Sequence, residues 1–151
     1  MRFLFADKIT EISERHIKGI KSVSFEEGFI DPLSAEEGSF PRLLMMESAG
    51  QFVSWLIFYI TGFKKIPLIA SIDLAEIRGS VKCGECIRVE VIMESINSEG
   101  AVVNSMIYKD EKLVAAGNRC LCTFVDAEKL VDAARLKSRF LEMAKEAVYS
   151  K

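Results

Sequence analysis

From Leu43 to Phe63 the chain reads LLMMESAGQFVSWLIFYITGF, a run whose only charge is Glu47. A stretch this long, apolar on nearly every side, predicts a helix over about 41–61 that other protein must wrap on most faces. Pro41 suits the first turn of such a helix, and Gly62 suits the position just past its end, with Pro67 beyond. On either side the period changes from helical to alternating. Ile87, Val89, Val91 and Met93 share one face of a strand over Cys86–Ser95, with Arg88, Glu90 and Glu94 on the other. That alternation marks a half-buried antiparallel strand. Leu68–Ile77, Ala101–Lys109 and Lys112–Val125 also read as strands, linked by turns at 97–100 and at Asp110-Glu111, as in a meander. Upstream, Phe3–Ile12 and His16–Phe25 form a strand pair around the polar Ser13-Glu14-Arg15. Residues 26–41 are irregular, broken by Gly28, Pro32, Gly38 and Pro41.

The last segment returns to helical spacing. Leu130, Ala133, Ala134, Phe140, Leu141, Ala144 and Val148 predict an amphipathic helix over 127–148 with Asp126 as its cap. The order is strands, one very apolar helix, four strands and a terminal helix. This is an α+β arrangement, with the sheet curled around the central helix as the simplest way to cover it. It divides into a domain over 1–126 and a helical extension over 127–151.

Composition narrows the function. The chain has 151 residues, half of them hydrophobic, enough for one domain with its own core. The 20 Lys and Arg against 22 Asp and Glu leave no basic excess for a phosphate backbone, so nucleic acid is not an expected partner. A single histidine, His16, rules out a site built on two imidazoles within one chain. It follows the polar Ser13–Arg15 and reads as a strand-edge residue. No signal peptide is read at the N-terminus, so a reducing cytoplasm is the expected compartment. Cys83-Gly84-Glu85-Cys86 and Cys120-Leu121-Cys122 could supply four thiolates for zinc. Cys120 and Cys122 share one strand face, however, which suits small apolar packing, so no metal and no cofactor are expected. Trp55, Phe58 and Tyr59 read as core or interface, as do Met45 and Met46, although methionines can also line an acyl tunnel. Leu43–Phe63 is long enough to span a bilayer, which leaves a single-span protein as an outside reading. Glu47, with Gln51 one turn on, argues for a core helix instead.

The stretch from Ser24 to Gln51 resembles the 3-hydroxyacyl-(acyl-carrier-protein) dehydratases of the hotdog fold, whose hallmark runs N-E-x-F-F-x-G-H-F-P-x-x-P-x-M-P-G-x-L-x-x-E-A-x-A-Q. Without gaps, Glu27, Phe29 and Ile30 fall on E-F-F, Pro41 on the proline before the helix, Leu44 on its leucine, Glu47 on its glutamate and Gln51 on its glutamine. A second patch, from Ile72 to Glu85, is similar to the family's I-D-x-x-x-F-R-x-P-V-x-P-G-D at Ile72, Asp73, Arg78, Val81, Gly84 and Glu85. The resemblance covers about residues 3–125 and leaves the terminal helix outside.

The resemblance implies an acyl-thioester chemistry. A base takes the C2 proton of a 3-hydroxyacyl thioester, an acid protonates the departing hydroxyl, and a backbone N–H at the helix start polarises the thioester carbonyl. Glu47 is then the catalytic candidate, on a helix expected to be buried. The N–H of Arg42 is the carbonyl donor, and Leu33 and Gln51 border the substrate. The family's catalytic histidine is missing: Leu33 occupies its position in the ungapped register, Ser39 in a gapped one. Neither is a base near neutral pH. Two readings therefore stay open. One is a dehydratase-like enzyme, or a thioesterase, working through Glu47 on acyl carrier protein or coenzyme A thioesters. The other is a non-catalytic acyl-binding or partner subunit. A homodimer or higher homo-oligomer with a continuous sheet is implied, as is pairing with an active homologue for the second reading.

Overall fold

A computed structural model describes residues 4–24 and 38–150. Leu33 and the Glu27–Ile30 part of the first patch lie outside the described residues. The elements are β1 (Lys8–Ile12), β2 (His16–Ser22), α1 (Arg42–Ile60), β3 (Lys65–Ile77), β4 (Cys86–Ile96), β5 (Gly100–Lys109), β6 (Lys112–Asp126), α2 (Ala133–Met143) and β7 (Val148–Tyr149). The strands form one sheet in the order β3-β6-β5-β4-β2-β1-β7. All neighbours are antiparallel except β1 and β7. The α+β expectation, a sheet curled around one apolar helix, is the observed architecture.

α1 packs against β2 through β6. Its Met45, Phe52, Leu56 and Ile57 are fully buried on the inward-facing Ile17, Ile87, Val89, Val91, Val103 and Ile107 of the sheet. Burying each such side chain contributes about 1.5–3 kcal/mol. At the contact with Phe52, β2 carries Gly19. A Cβ there would stand 2.1 Å from the Phe52 ring, so the helix can lie this close only over glycine. α1 has the length and hydropathy to cross a bilayer, but half of that window is buried inside this chain. It is a core helix.

The ends of α1 follow the sequence signals. Pro41 is the N-cap, and among the described residues no side chain caps the first turn. At the other end Gly62 takes φ 61°. Its N–H donates to Tyr59 (3.2 Å), while the Phe63 N–H donates to Phe58 (2.7 Å) and their rings stack. This pair of reverse bonds is the Schellman ending. The following strand begins at Lys65, three residues before the predicted Leu68. Pro67 is tolerated within it because β3 is an edge strand.

The terminal segment differs from the expected single helix. Asp126 makes no cap; its carboxylate accepts from Lys65 Nζ at 2.7 Å. A short 3₁₀ turn follows at Ala127–Lys129. Asp132 is the cap actually used, accepting from the N–H groups of Ala134 and Arg135. α2 then runs only to Met143, and the chain finishes as β7 beside β1, where Ser150 N–H donates to Ile12 at 3.0 Å. Phe140, Met143 and Ala144 are buried, whereas Leu130 and Leu141 of the predicted apolar face are exposed.

Candidate functional site

The two patches that carry the resemblance meet in space. Phe40 N–H donates to Val81 at 2.7 Å, Cys83 N–H donates to Gly38 at 3.0 Å, and Ser39 bridges to Lys82. The β3–β4 connection therefore braces the segment that delivers Pro41 and the first turn of α1. Glu85 holds that connection together. Its carboxylate accepts the Lys82 N–H at 2.7 Å and lies 3.2 Å from Lys109 Nζ. The Lys82 N–H first, then Lys109, lower the Glu85 carboxyl below the ordinary glutamate range.

On the braced helix, the backbone N–H groups of Arg42 and Leu43 open a turn with no side-chain cap among the described residues. Such a helix start offers oriented donors and a partial positive charge. Glu47 follows one turn on. Contrary to the expectation of a buried carboxylate, it is exposed in the single chain. Its Oε1 accepts from Gln51 Nε2 at 3.2 Å, and Gln51 Oε1 in turn accepts the Phe5 N–H at 2.7 Å.

The flank of α1 that carries Glu47 is not covered by the sheet. β3 runs beside it, with Ile69 Cδ1 3.4 Å from where a Gly50 Cβ would lie. Ile69 and Ile72 stand opposite the buried Cys122 and Cys120, so they face the helix side, and the pleat puts Leu74 on the same side. These three residues remain 50%, 38% and 51% exposed, and Leu43 on α1 is 79% exposed. Among the described residues, the result is an apolar shelf along an open sheet edge, bordered by a carboxylate and an uncapped helix start.

The remaining candidates are placed elsewhere. Met45 is core, and Met46 reaches over Gly117, where a Cβ would come within 3.0 Å of its methyl. Trp55, Phe58 and Tyr59 pack with Phe63 and Phe140 in an aromatic cluster under α2. His16 opens β2, where Ser13 Oγ lies 2.8 Å from its Nδ1 and Glu11 Oε1 2.7 Å from its Nε2. Both ring nitrogens are thus engaged within the β1–β2 hairpin. Cys120 and Cys122 are buried, and burial pushes the Cys122 thiol up to about 11. Among the described residues, no cluster of three or more His, Cys, Asp or Glu could hold a metal. Sequence reading missed two features. One is the Phe5–Gln51 bond, because a backbone donor has no residue signature. The other is Ser48, whose buried hydroxyl has no partner among the described residues.

No family model matches the chain. The 3-hydroxyacyl-(acyl-carrier-protein) dehydratase FabZ of Clostridioides difficile is 30% identical over 117 residues, 76% of this chain and 82% of the relative. The FabZ of Clostridium botulinum strain Loch Maree is 31% identical over 115 residues, 75% and 80% of the two chains. Among solved structures, the thioesterase HI1161 from Haemophilus influenzae is similar at TM-score 0.61 and 16% identity, over 79% of this chain and 78% of that one. A sheet in this order, wrapped on one long apolar helix, defines a hotdog-fold protein. The chain belongs to the 3-hydroxyacyl-(acyl-carrier-protein) dehydratase family.

Proposed function

We propose that the protein acts on acyl thioesters, on acyl carrier protein or coenzyme A, with Glu47 as its acid–base group. The observation that carries this is the exposed Glu47 carboxylate at the border of the apolar shelf formed by Leu43, Ile69, Ile72 and Leu74. The shelf takes the acyl chain. The Arg42 N–H, backed by the helix dipole, polarises the thioester carbonyl and makes the C2 proton more acidic. One carboxylate then serves both halves of a dehydration. It takes the C2 proton and gives it to the 3-hydroxyl, which leaves as water while the C2–C3 double bond forms. Gln51 borders the same shelf. A second copy completes the site. β3 is a 13-residue strand whose edge is free among the described residues, and pairing it with its own counterpart extends the sheet and covers the shelf. The expected setting is the cytoplasm.

The test is turnover of 3-hydroxyacyl and trans-2-enoyl thioesters on both carriers, with free thiol read in parallel, for wild type and Glu47→Gln. Loss or addition of water is expected, and Glu47→Gln should lower kcat/KM on the order of 10²–10⁴-fold. Thiol release that depends on Glu47 would move the protein to the thioesterases. Silence in every channel from a folded dimer would overturn the enzymatic reading. It would leave a non-catalytic acyl-binding subunit, one that binds an acyl chain or pairs with an active homologue. The engagement of both His16 nitrogens by Ser13 and Glu11 favours that second reading, since the chain's one imidazole is then not free for the missing role.

A further inference from the structure

We infer that Gln51 is a positioning residue for Glu47, its amide locked in one orientation by the backbone N–H of Phe5. The inference rests on the acid–base reading of Glu47 and deepens it. A backbone N–H can only donate, so the Gln51 atom 2.7 Å from Phe5 N is the carbonyl oxygen. The usual ambiguity between the two ends of a glutamine amide is removed by that chemistry. The NH₂ end must then face the other way, toward Glu47 Oε1 at 3.2 Å. Four residues apart on α1, the two side chains share a face. The amide occupies Oε1 and leaves Oε2 to meet a substrate proton over the shelf.

An ordinary pair at this spacing on a helix surface would leave the amide free to turn over. Here it is not free, because Phe5 is anchored 46 residues away in sequence. The Phe5 ring is buried and sits edge-on to Phe40 at 5.9 Å, and the Phe40 N–H is held by Val81. The chain of contacts Val81, Phe40, Phe5, Gln51, Glu47 ties the carboxylate to the rigid core through the two braced patches. A carboxylate held this way spends less freedom in reaching the geometry of proton transfer.

Two variants separate positioning from mere packing. Gln51→Met keeps the length and removes the bonds to Phe5 and Glu47. Gln51→Glu keeps an acceptor for Phe5 N–H but turns a carboxylate on Glu47. The Gln51 side-chain NH₂ resonances should differ between wild type and Glu47→Gln. Phe5 N–H should lose protection from hydrogen exchange in Gln51→Met and keep it in Gln51→Glu. Both variants should lower turnover about ten-fold in the wild-type background, and not lower it further in Glu47→Gln. NH₂ resonances left unmoved by Glu47→Gln would overturn the inference. So would an equal loss of turnover in both backgrounds. If Glu47→Gln itself leaves turnover unchanged, the acid–base reading falls, and the resonance experiment still decides the link.

Discussion

The two halves of α1 are finished to different degrees. The C-terminal half lies under an aromatic lid: Trp55, Phe58, Tyr59 and Phe63 gather around Phe140 of α2, and the helix ends in a satisfied Schellman turn. Among the described residues, the N-terminal half has an uncapped first turn, an exposed Glu47, an exposed Leu43 and a bare strand edge beside it. The N-terminal half carries the helix's two charges, Arg42 and Glu47, but its exposed Leu43 shows that composition alone does not explain the difference. What explains it is which element the chain supplies as cover. The terminal extension closes one half, and nothing among the described residues closes the shelf on the other. Closed ends carry stability, and open ones are available for substrate and a second copy.

The largest effect should come from breaking the closed half. Phe140→Ala removes the ring that Trp55, Tyr59 and Phe63 all touch, and should cost about 3–5 kcal/mol in urea unfolding. Leu43→Ala, at 79% exposed, should cost less than about 0.5 kcal/mol in the separated chain. If a second copy covers the shelf, the cost of Leu43→Ala grows with protein concentration, because dimerisation then contributes to stability. A Phe140→Ala loss as small as that of Leu43→Ala would break the comparison.

A smaller effect of opposite sign is expected from Ser48, one residue past Glu47 on the open half. Its hydroxyl is fully buried without a partner among the described residues. An unsatisfied buried hydroxyl costs about 1–3 kcal/mol. Ser48→Ala removes that cost and leaves a methyl in apolar surroundings, so it should raise the unfolding free energy by about 1 kcal/mol. A loss of stability would mean that the hydroxyl has a ligand or partner in the working protein.

Much of this was legible in the residues, and the exceptions have physical causes. Pro41, Gly62 and the alternation of Ile87, Val89, Val91 and Met93 announce their elements because each is a local rule of backbone or pleat. The two matched patches were legible too, although not the bonds that join them, such as Phe40 N–H to Val81. The extension was misread for a plain reason. Asp126 and Asp132 are the same residue type with equal claims to cap a helix, and only tertiary contact with Lys65 decides between them. A two-residue parallel strand such as Val148–Tyr149 has no period to detect. At the site, Glu47 stood out as a lone charge in an apolar run. Its exposure did not, because a helix apolar all round suggests cover on every side, and this sheet leaves one flank bare.

The smallest effect concerns the brace beneath the open half. Glu85 accepts the Lys82 N–H and pairs with Lys109, and its folded carboxyl lies below the ordinary glutamate range for those two reasons, the backbone bond first. A carboxyl with a lowered folded value contributes stability once the unfolded chain has ionised. That contribution is present at about pH 7 and is lost as pH falls through the folded value. Wild type should therefore be more stable than Glu85→Gln at about pH 7, by an amount kept modest because the side chain is about one-third exposed (36%). The gap should close as the solution is acidified below the glutamate range. The same titration reads the site, because the turn that Glu85 holds is the one that positions Gly38 to Pro41. If Glu85→Gln leaves the acid arm of the unfolding curve unchanged while thioester turnover falls, the brace acts on the geometry of α1's first turn and not on the stability of the fold.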